Sequence, residues 1–195
     1  MPDLWTDLLA CLAIAAVDDA GSFEGRNQRL EYHRVFGGQL LAQFIRIASL
    51  TCPDKAVKSQ HALFAREGRA DEPIRYDATR NHKGRSFATL TITARQSRGV
   101  VATSSISMHA SEGGPEHQET ESVPAVLGPE HEVSLDVTSH TVWFHRPFRT
   151  DSWLLLRQHS PLLAHGRCFG RGDVLTEDGT LVASYGQETL LRFAN

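Results

Sequence analysis

The chain has 195 residues, 41% hydrophobic and 22% charged, the composition of a folded globular protein with room for one substantial domain or two smaller ones. A formal net charge of −3 leaves no basic footprint for nucleic acid, although a local basic patch would still suit a small acidic ligand. Cys11, Cys52 and Cys168 are widely spaced, form no CxxC pair and match no zinc spacing. They read as reduced, buried packing residues of a cytoplasmic protein, with no metal site.

The N-terminal stretch MPDLWTDLLACLAIAAVDDA carries an apolar run, but Asp3 and Asp7 stand where a secretory signal needs basic residues. The run is also short of a membrane span. It predicts a docking helix with Leu4, Leu8 and Leu12 on one face and acidic residues placed to suit its dipole. Residues 18–34 read as irregular, with a short strand around Phe23. From Gln39 to about Leu50, Leu40, Leu41, Phe44, Ile45, Ile47 and Ala48 cover most of a helix surface. A helix this apolar is expected to be wrapped by a sheet, and Pro53 stops it.

The period then changes. Residues 57–66, 74–82, 86–96 and 100–110 are rich in β-branched residues, partly alternating and separated by Gly68, Gly84 and Gly99. One helix followed by an antiparallel run of strands is the element order of a hotdog fold, a curved sheet around a central helix. Residues 111–133 turn acidic and are punctuated by proline and glycine, as in a linker. Strands are predicted again at 140–148, 153–161, 165–176 and 180–193, with Glu177-Asp178-Gly179 as a hairpin turn. No comparable helix precedes this second run. The expected fold class is α+β: a complete hotdog unit over 1–110 and an incomplete hotdog sheet over 134–195.

Several motifs in order, VFGGQ, HALFAREG, PIRYDATRNHKGRSFAT, SMHASEGGPEHQ, HTVWFHRPF and GDVLTEDGTLVASYGQE, resemble the acyl-CoA thioesterase II family. The resemblance covers most of residues 4–118 and 138–193, and HTVWFHRPF is its most specific part. It implies a double hotdog hydrolase of fatty lipid metabolism that cleaves fatty acyl-CoA to free acid and CoA. Coenzyme A enters only with the substrate, and no other cofactor is implied. The family's site joins a helix aspartate, a Thr or Ser before the WFH strand and a Gln on the last strand. Here the Gln corresponds to Gln187. Thr138 is the first choice of hydroxyl, with Ser139 and Ser134 as alternatives. The aspartate has no clear counterpart, because the segment that would hold the second helix is too short; Asp136 is close in sequence but belongs on a strand or turn.

Thioester hydrolysis needs an aimed water and donors for the developing oxyanion. Gly37 and Gly38 let backbone approach a ligand at a helix N-terminus, where N–H groups favour a polarised carbonyl, and Gln39 adds a side-chain amide. Tight helix–sheet packing would equally explain the two glycines. His61 is a candidate cleft residue. His140 and His145 read as hydrogen-bonded sheet histidines on opposite faces, and His117 and His131 as solvated linker residues. Arg80, Lys83, Arg146, Arg149 and Arg157 are candidates for CoA phosphates or for a solvated rim; GRSFAT lacks the spacing of a phosphate loop. A sheet face with Val142, Phe144, Leu154 and Leu156 and no helix needs an apolar cover, which predicts a homodimer or higher oligomer. Two alternatives stand beside the hydrolase: a non-catalytic acyl-CoA-binding relative, and a shortened version of a longer thioesterase.

Overall fold

In the computed structural model, which describes residues 4–18, 20–30, 33–111, 134–164 and 167–192, the N-terminal apolar run folds as α1 (Leu4–Cys11). Its leucine stripe is only partly covered. Leu4 is exposed and Leu8 and Leu12 are half-buried, whereas Cys11 is fully buried. Asp7 does more than meet the helix dipole: its carboxylate accepts from the Arg29 backbone N–H at 2.6 Å and from Arg26 at 3.3 Å. The chain then forms β1 (Ala15–Ala16) and β2 (Ser22–Gly25), the latter around Phe23 as expected.

The central helix, α2, spans Gly37–Thr51. The two glycines therefore form its first turn rather than standing ahead of it. Phe36 is the extended residue before the helix and supplies no side-chain cap. At the other end the Cys52 N–H closes on the Ala48 carbonyl at 2.9 Å, and Pro53 prevents a further turn. Leu40, Phe44, Ile47 and Ala48 are buried, so α2 has its apolar face against the sheet.

That sheet continues with β3 (Ala56–Phe64), β4 (Ile74–Lys83), β5 (Phe87–Gln96) and β6 (Gly99–His109). Within this unit the order is β1-β2-β4-β5-β6-β3, all antiparallel. Alternation puts Ile74, Tyr76, Ala88, Leu90, Ile92, Ala94, Ala102, Ile106 and Met108 on the face that meets α2. The Phe44 and Tyr76 rings meet edge to face at 5.6 Å, with an interplanar angle of 81°.

A buried polar cluster lies inside this hydrophobic packing. Gln43 is fully buried; its amide nitrogen donates to the Cys11 and Arg26 carbonyls, each at 2.9 Å. Its oxygen accepts from the Tyr76 hydroxyl and, at 3.3 Å, from the Gln39 amide. Burial pushes the Tyr76 phenol far up, so it stays protonated and remains a donor. One glutamine thereby ties α1, the segment after β2 and β4 to the central helix.

The chain divides into compact units between Ser111 and Glu112. Residues 112–133, including His117 and His131, lie outside the described residues. The second unit consists of β7 (Ser134–Phe144), β8 (Leu154–Ala164), β9 (Arg167–Thr176) and β10 (Leu181–Arg192), in the antiparallel order β7-β10-β9-β8. Among its described residues there is no helix. SLDVTSHTVWF is one continuous strand. The strand expected over 140–148 begins earlier and stops at Phe144, ahead of Pro147, which has no N–H for a ladder. Gly179 takes φ +83° in the hairpin turn between β9 and β10, a conformation that favours glycine. Cys11 and Cys52 are buried as expected, but Cys168 is only half-buried, with its sulfur 3.0 Å from Ser160 Oγ.

The Gln43 cluster predicts a graded loss of stability. Gln43→Leu leaves two carbonyls and the Tyr76 hydroxyl without their partner and is expected to cost on the order of 3 kcal/mol. Tyr76→Phe removes one hydroxyl and is expected to cost about 1 kcal/mol. Denaturant unfolding of the two variants checks both values and their order.

Candidate active site on the second sheet

The register of β7 against β10 sets the geometry. Gln187 lies directly opposite His140, and Gln187 Oε1 is 3.3 Å from His140 Nδ1. An amide oxygen only accepts, so Nδ1 carries the proton and donates. The His140 ring also stacks on Tyr185, with centroids 5.8 Å apart and planes 17° apart. Burial pushes the His140 pKa below its ordinary value, while the bond to Gln187 acts the other way and only partly offsets it.

Thr138 lies two residues before His140. The pairing slips between Glu188 and Thr189, and at that irregularity the Thr138 hydroxyl donates to the Glu188 carbonyl at 3.0 Å. The structure thus brings Thr138, His140 and Gln187 to one short stretch of the β7–β10 ladder. Ser139 alternates to the other face. The backbones of Ser134 and Asp136 lie on β7, and their side chains are outside the described set.

The remaining candidates belong to the first unit. Gly37 and Gly38 open α2. A Cβ on Gly38 would lie 2.6 Å from the exposed Phe36 ring, and one on Gly37 would meet Phe64 at an ordinary 3.5 Å. Gln39 is buried with its amide engaged: the nitrogen donates to Asn27 at 2.9 Å and the oxygen accepts from the Gln28 N–H at 2.9 Å. His61 is exposed on β3, whose neighbouring residues Gln60 and Ala62 are buried.

The opposite face of the second sheet carries a chain of charged and polar groups built on Asp173 and Ser184, which the sequence did not single out. Arg157 donates to Asp173 at 2.8 Å, Ser184 donates to the other oxygen of Asp173 at 2.8 Å, and His145 Nε2 is 3.0 Å from Ser184 Oγ. Burial opposes the charge of Asp173, but Arg157 and Ser184 outweigh it and hold the carboxyl below the usual range. This is not a nucleophilic triad, because the carboxylate meets the hydroxyl and not the imidazole. Other phosphate candidates are also engaged: Arg149 pairs with Asp151, Lys83 with Asp54 at 3.2 Å, and Arg146 donates to the Leu181 carbonyl at 2.8 Å.

Comparison with known proteins gives this geometry its context. Residues 28–109 match the family model described as acyl-CoA thioesterase N-terminal domain, and residues 123–191 match the model of the acyl-CoA thioesterase C-terminal domain. The chain belongs to the acyl-CoA thioesterase II family. The acyl-CoA thioesterase 2 of Haemophilus influenzae is 25% identical over 288 aligned residues, covering 100% of each chain. An alignment of that length against 195 residues means that the relative carries segments with no counterpart here. Human acyl-coenzyme A thioesterase 8 is 40% identical over 60 residues, which span 31% of this chain and 18% of that protein. Among solved structures, the acyl-CoA thioesterase II TesB2 of Mycobacterium marinum superposes with a TM-score of 0.82 at 23% identity, over 96% of this chain and 98% of that one. A conserved hot dog protein of unknown function from Alicyclobacillus acidocaldarius gives a TM-score of 0.79 at 17% identity, with the same coverages of 96% and 98%. The hotdog reading of the fold therefore holds.

In this thioesterase family member, one residue that sequence reasoning set aside becomes central. His140 was read as an ordinary sheet histidine. What singles it out is the cross-strand register that brings it opposite Gln187, which no local pattern in the sequence carries. A second is Gly172, on the same face as Tyr185. A Cβ there would lie 2.7 Å from the Tyr185 ring and 2.8 Å from the Arg157 carbonyl, so only glycine leaves room for the ring that stacks on His140. Gly172→Ala is expected to cost on the order of 2 kcal/mol. Gly170→Ala, whose added methyl would meet nothing within 4 Å, is the control that should stay close to wild type. Thermal unfolding of the two variants checks the contrast.

Proposed function

We propose that this protein hydrolyses fatty acyl-CoA to free acid and CoA through a water oriented on the Thr138–Gln187 stretch of the second sheet. The observation that carries the reading is the match of both halves of the chain to acyl-CoA thioesterase domains, with a glutamine and a hydroxyl close together on the β7–β10 ladder. The hydrogen bonds assign directions. Gln187 Oε1 is taken by His140, which leaves its Nε2 donors to hold a water oxygen or the substrate carbonyl. The Thr138 hydroxyl spends its proton on the Glu188 carbonyl, so its oxygen is left to accept a hydrogen bond from water. Both residues aim the water and neither titrates. The Gly37 and Gly38 N–H groups and His61 are assigned to substrate binding, and Coenzyme A takes part only as the leaving half of the substrate. Gln39 is kept with them as a support for the glycine turn, since its own amide is engaged.

The second sheet also bears on assembly. Val142, Phe144, Leu154 and Leu156 share a face, and Leu156 is 58% exposed. A second copy of the chain covering this face is the simplest way to remove it from water. The three free thiols fit a reducing compartment, which supports a cytoplasmic location.

Release of CoA from fatty acyl-CoA, followed with a thiol reagent, tests the activity. Gln187→Ala is expected to lower kcat by on the order of a hundredfold with a smaller change in KM, as for a group that acts in the transition state. Undiminished turnover by this variant, or tight binding of acyl-CoA with no turnover by the wild-type protein, would contradict the reading. Light scattering at micromolar concentration should report at least two copies per particle.

A further inference from the structure

We infer that His140 is the general base of this hydrolase, taking the proton of the attacking water on Nε2 while Nδ1–H is held by Gln187. The inference rests on the hydrolytic reading above and adds the group that reading lacks: Gln187 and Thr138 can aim a water but cannot deprotonate it.

Three observations converge on His140. First, the tautomer is fixed by its partner. Nδ1 donates to Gln187 Oε1 at 3.3 Å, so the basic lone pair lies on Nε2. Among the described residues Nε2 has no hydrogen-bond partner, and the half-buried ring leaves it for water. Second, the ring is held in orientation from two sides, by the Gln187 amide and by the Tyr185 face 5.8 Å away. Third, the sheet sorts its ionisable groups. Strand alternation and register put Asp173, Arg157, Arg171 and Glu188 on the opposite face. On the His140 face the neighbouring side chains are Val137 and Val142 of β7, Tyr185, Gln187 and Thr189 of β10 and Cys168 of β9, with Thr138 beside them at the register irregularity. Tyr185 and Cys168 are the other titratable side chains there. His140 is thus the one described group on this face whose ordinary pKa lies near neutrality.

The step balances. A water held by Gln187 and Thr138 gives one proton to Nε2, and its oxygen forms the new bond to the thioester carbonyl carbon. The carbonyl π electrons move to oxygen and then return, and the C–S bond breaks. The imidazolium delivers its proton to the departing CoA sulfur, which restores neutral His140 and releases acid and thiol. During the step Gln187 Oε1 faces the Nδ1–H of the imidazolium and stabilises its charge.

The test separates a base from a prop. His140→Ala removes both roles and is expected to lower kcat by at least a hundredfold. His140→Asn keeps a side-chain N–H for Gln187 Oε1 but offers no base, and it is expected to be as poor as His140→Ala. Added imidazole should restore part of the activity of His140→Ala, which also shows that the variant is folded. In the wild-type protein, kcat/KM should fall on the acid side with a midpoint below the ordinary histidine value of 6.5, because burial opposes the imidazolium. That limb should be absent from both variants. Near-wild-type turnover by His140→Asn would reduce His140 to a positioning residue and overturn the inference alone. An acid limb that survives in His140→Asn and disappears in Asp136→Asn would transfer the role to Asp136. Absence of CoA release by the wild-type protein overturns the hydrolytic reading and this assignment together.

Discussion

The antiparallel pairing of β7 with β10 is the constraint on which the second unit depends. Side chains on a strand alternate with a period of two, so a slip of one residue would turn every side chain of β7 to the other face. The observed register sets His140 against Gln187 and Val142 against Tyr185. It thereby makes one face that is apolar with a small hydrogen-bonded centre, and another that carries Arg157, Asp173 and Ser184. The irregularity beside Glu188 adds a local effect. It frees the Glu188 carbonyl to accept from Thr138, which decides the direction in which that hydroxyl can act. Chemistry that looks like the property of three side chains is set by backbone pairing.

The first unit solves a different problem. Its central helix is buried among strands, so the polar groups it carries must find partners inside. Gln43 meets this requirement with two backbone carbonyls and a phenol, and Gln39 meets it with Asn27 and Gln28. Gln39 read from the sequence as an added amide beside a functional glycine turn, and Gln43 was not singled out. The structure shows the tertiary reason for them. They join α1 and the irregular segment after β2 to a helix whose remaining buried surface is apolar and therefore non-directional. Two glycines in the first turn weaken a helix intrinsically, and burial of Leu40, Phe44 and Ile47 outweighs that weakness.

Much of this was legible in the sequence, and the reasons are physical. The strands of the first unit were marked by β-branched residues and by glycine, and their observed ends differ from the expected ones by one or two residues. The sheet of the second unit was equally marked. What periodicity could not give was register between strands far apart in the chain. His140 and Gln187 are 47 positions apart, and nothing local couples them. Thr138 and Gln187 were reached only through family resemblance, whereas the direction of their hydrogen bonds required coordinates. The start of β7 was misread because SLDVTS mixes polar and apolar residues without clean alternation. A sheet partner, not local propensity, makes it a strand. Arg149, Arg157 and Lys83, candidates for phosphate contacts, each have a carboxylate partner that charge counting does not show.

The environment of His140 reconciles two opposed demands on a base. A base must stay unprotonated at the working pH, yet it must become charged during the reaction. Burial serves the first, since it disfavours the imidazolium and lowers the pKa. The same shift has a cost in stability with a definite sign. Between the ordinary value of 6.5 and the lower folded value, the unfolded chain binds a proton that the folded chain does not, so stability at this group falls as pH falls through that window. Gln187 moderates the cost. Its carbonyl dipole lies on the Nδ1 side, where it partly offsets desolvation without adding a charge that would compete for the proton. A carboxylate in its place would also orient the ring, but its charge would raise the pKa and leave less of the imidazole unprotonated as pH falls. A neutral amide is thus the partner that orients the imidazole and leaves it basic, which gives one physical reason for a glutamine on the last strand.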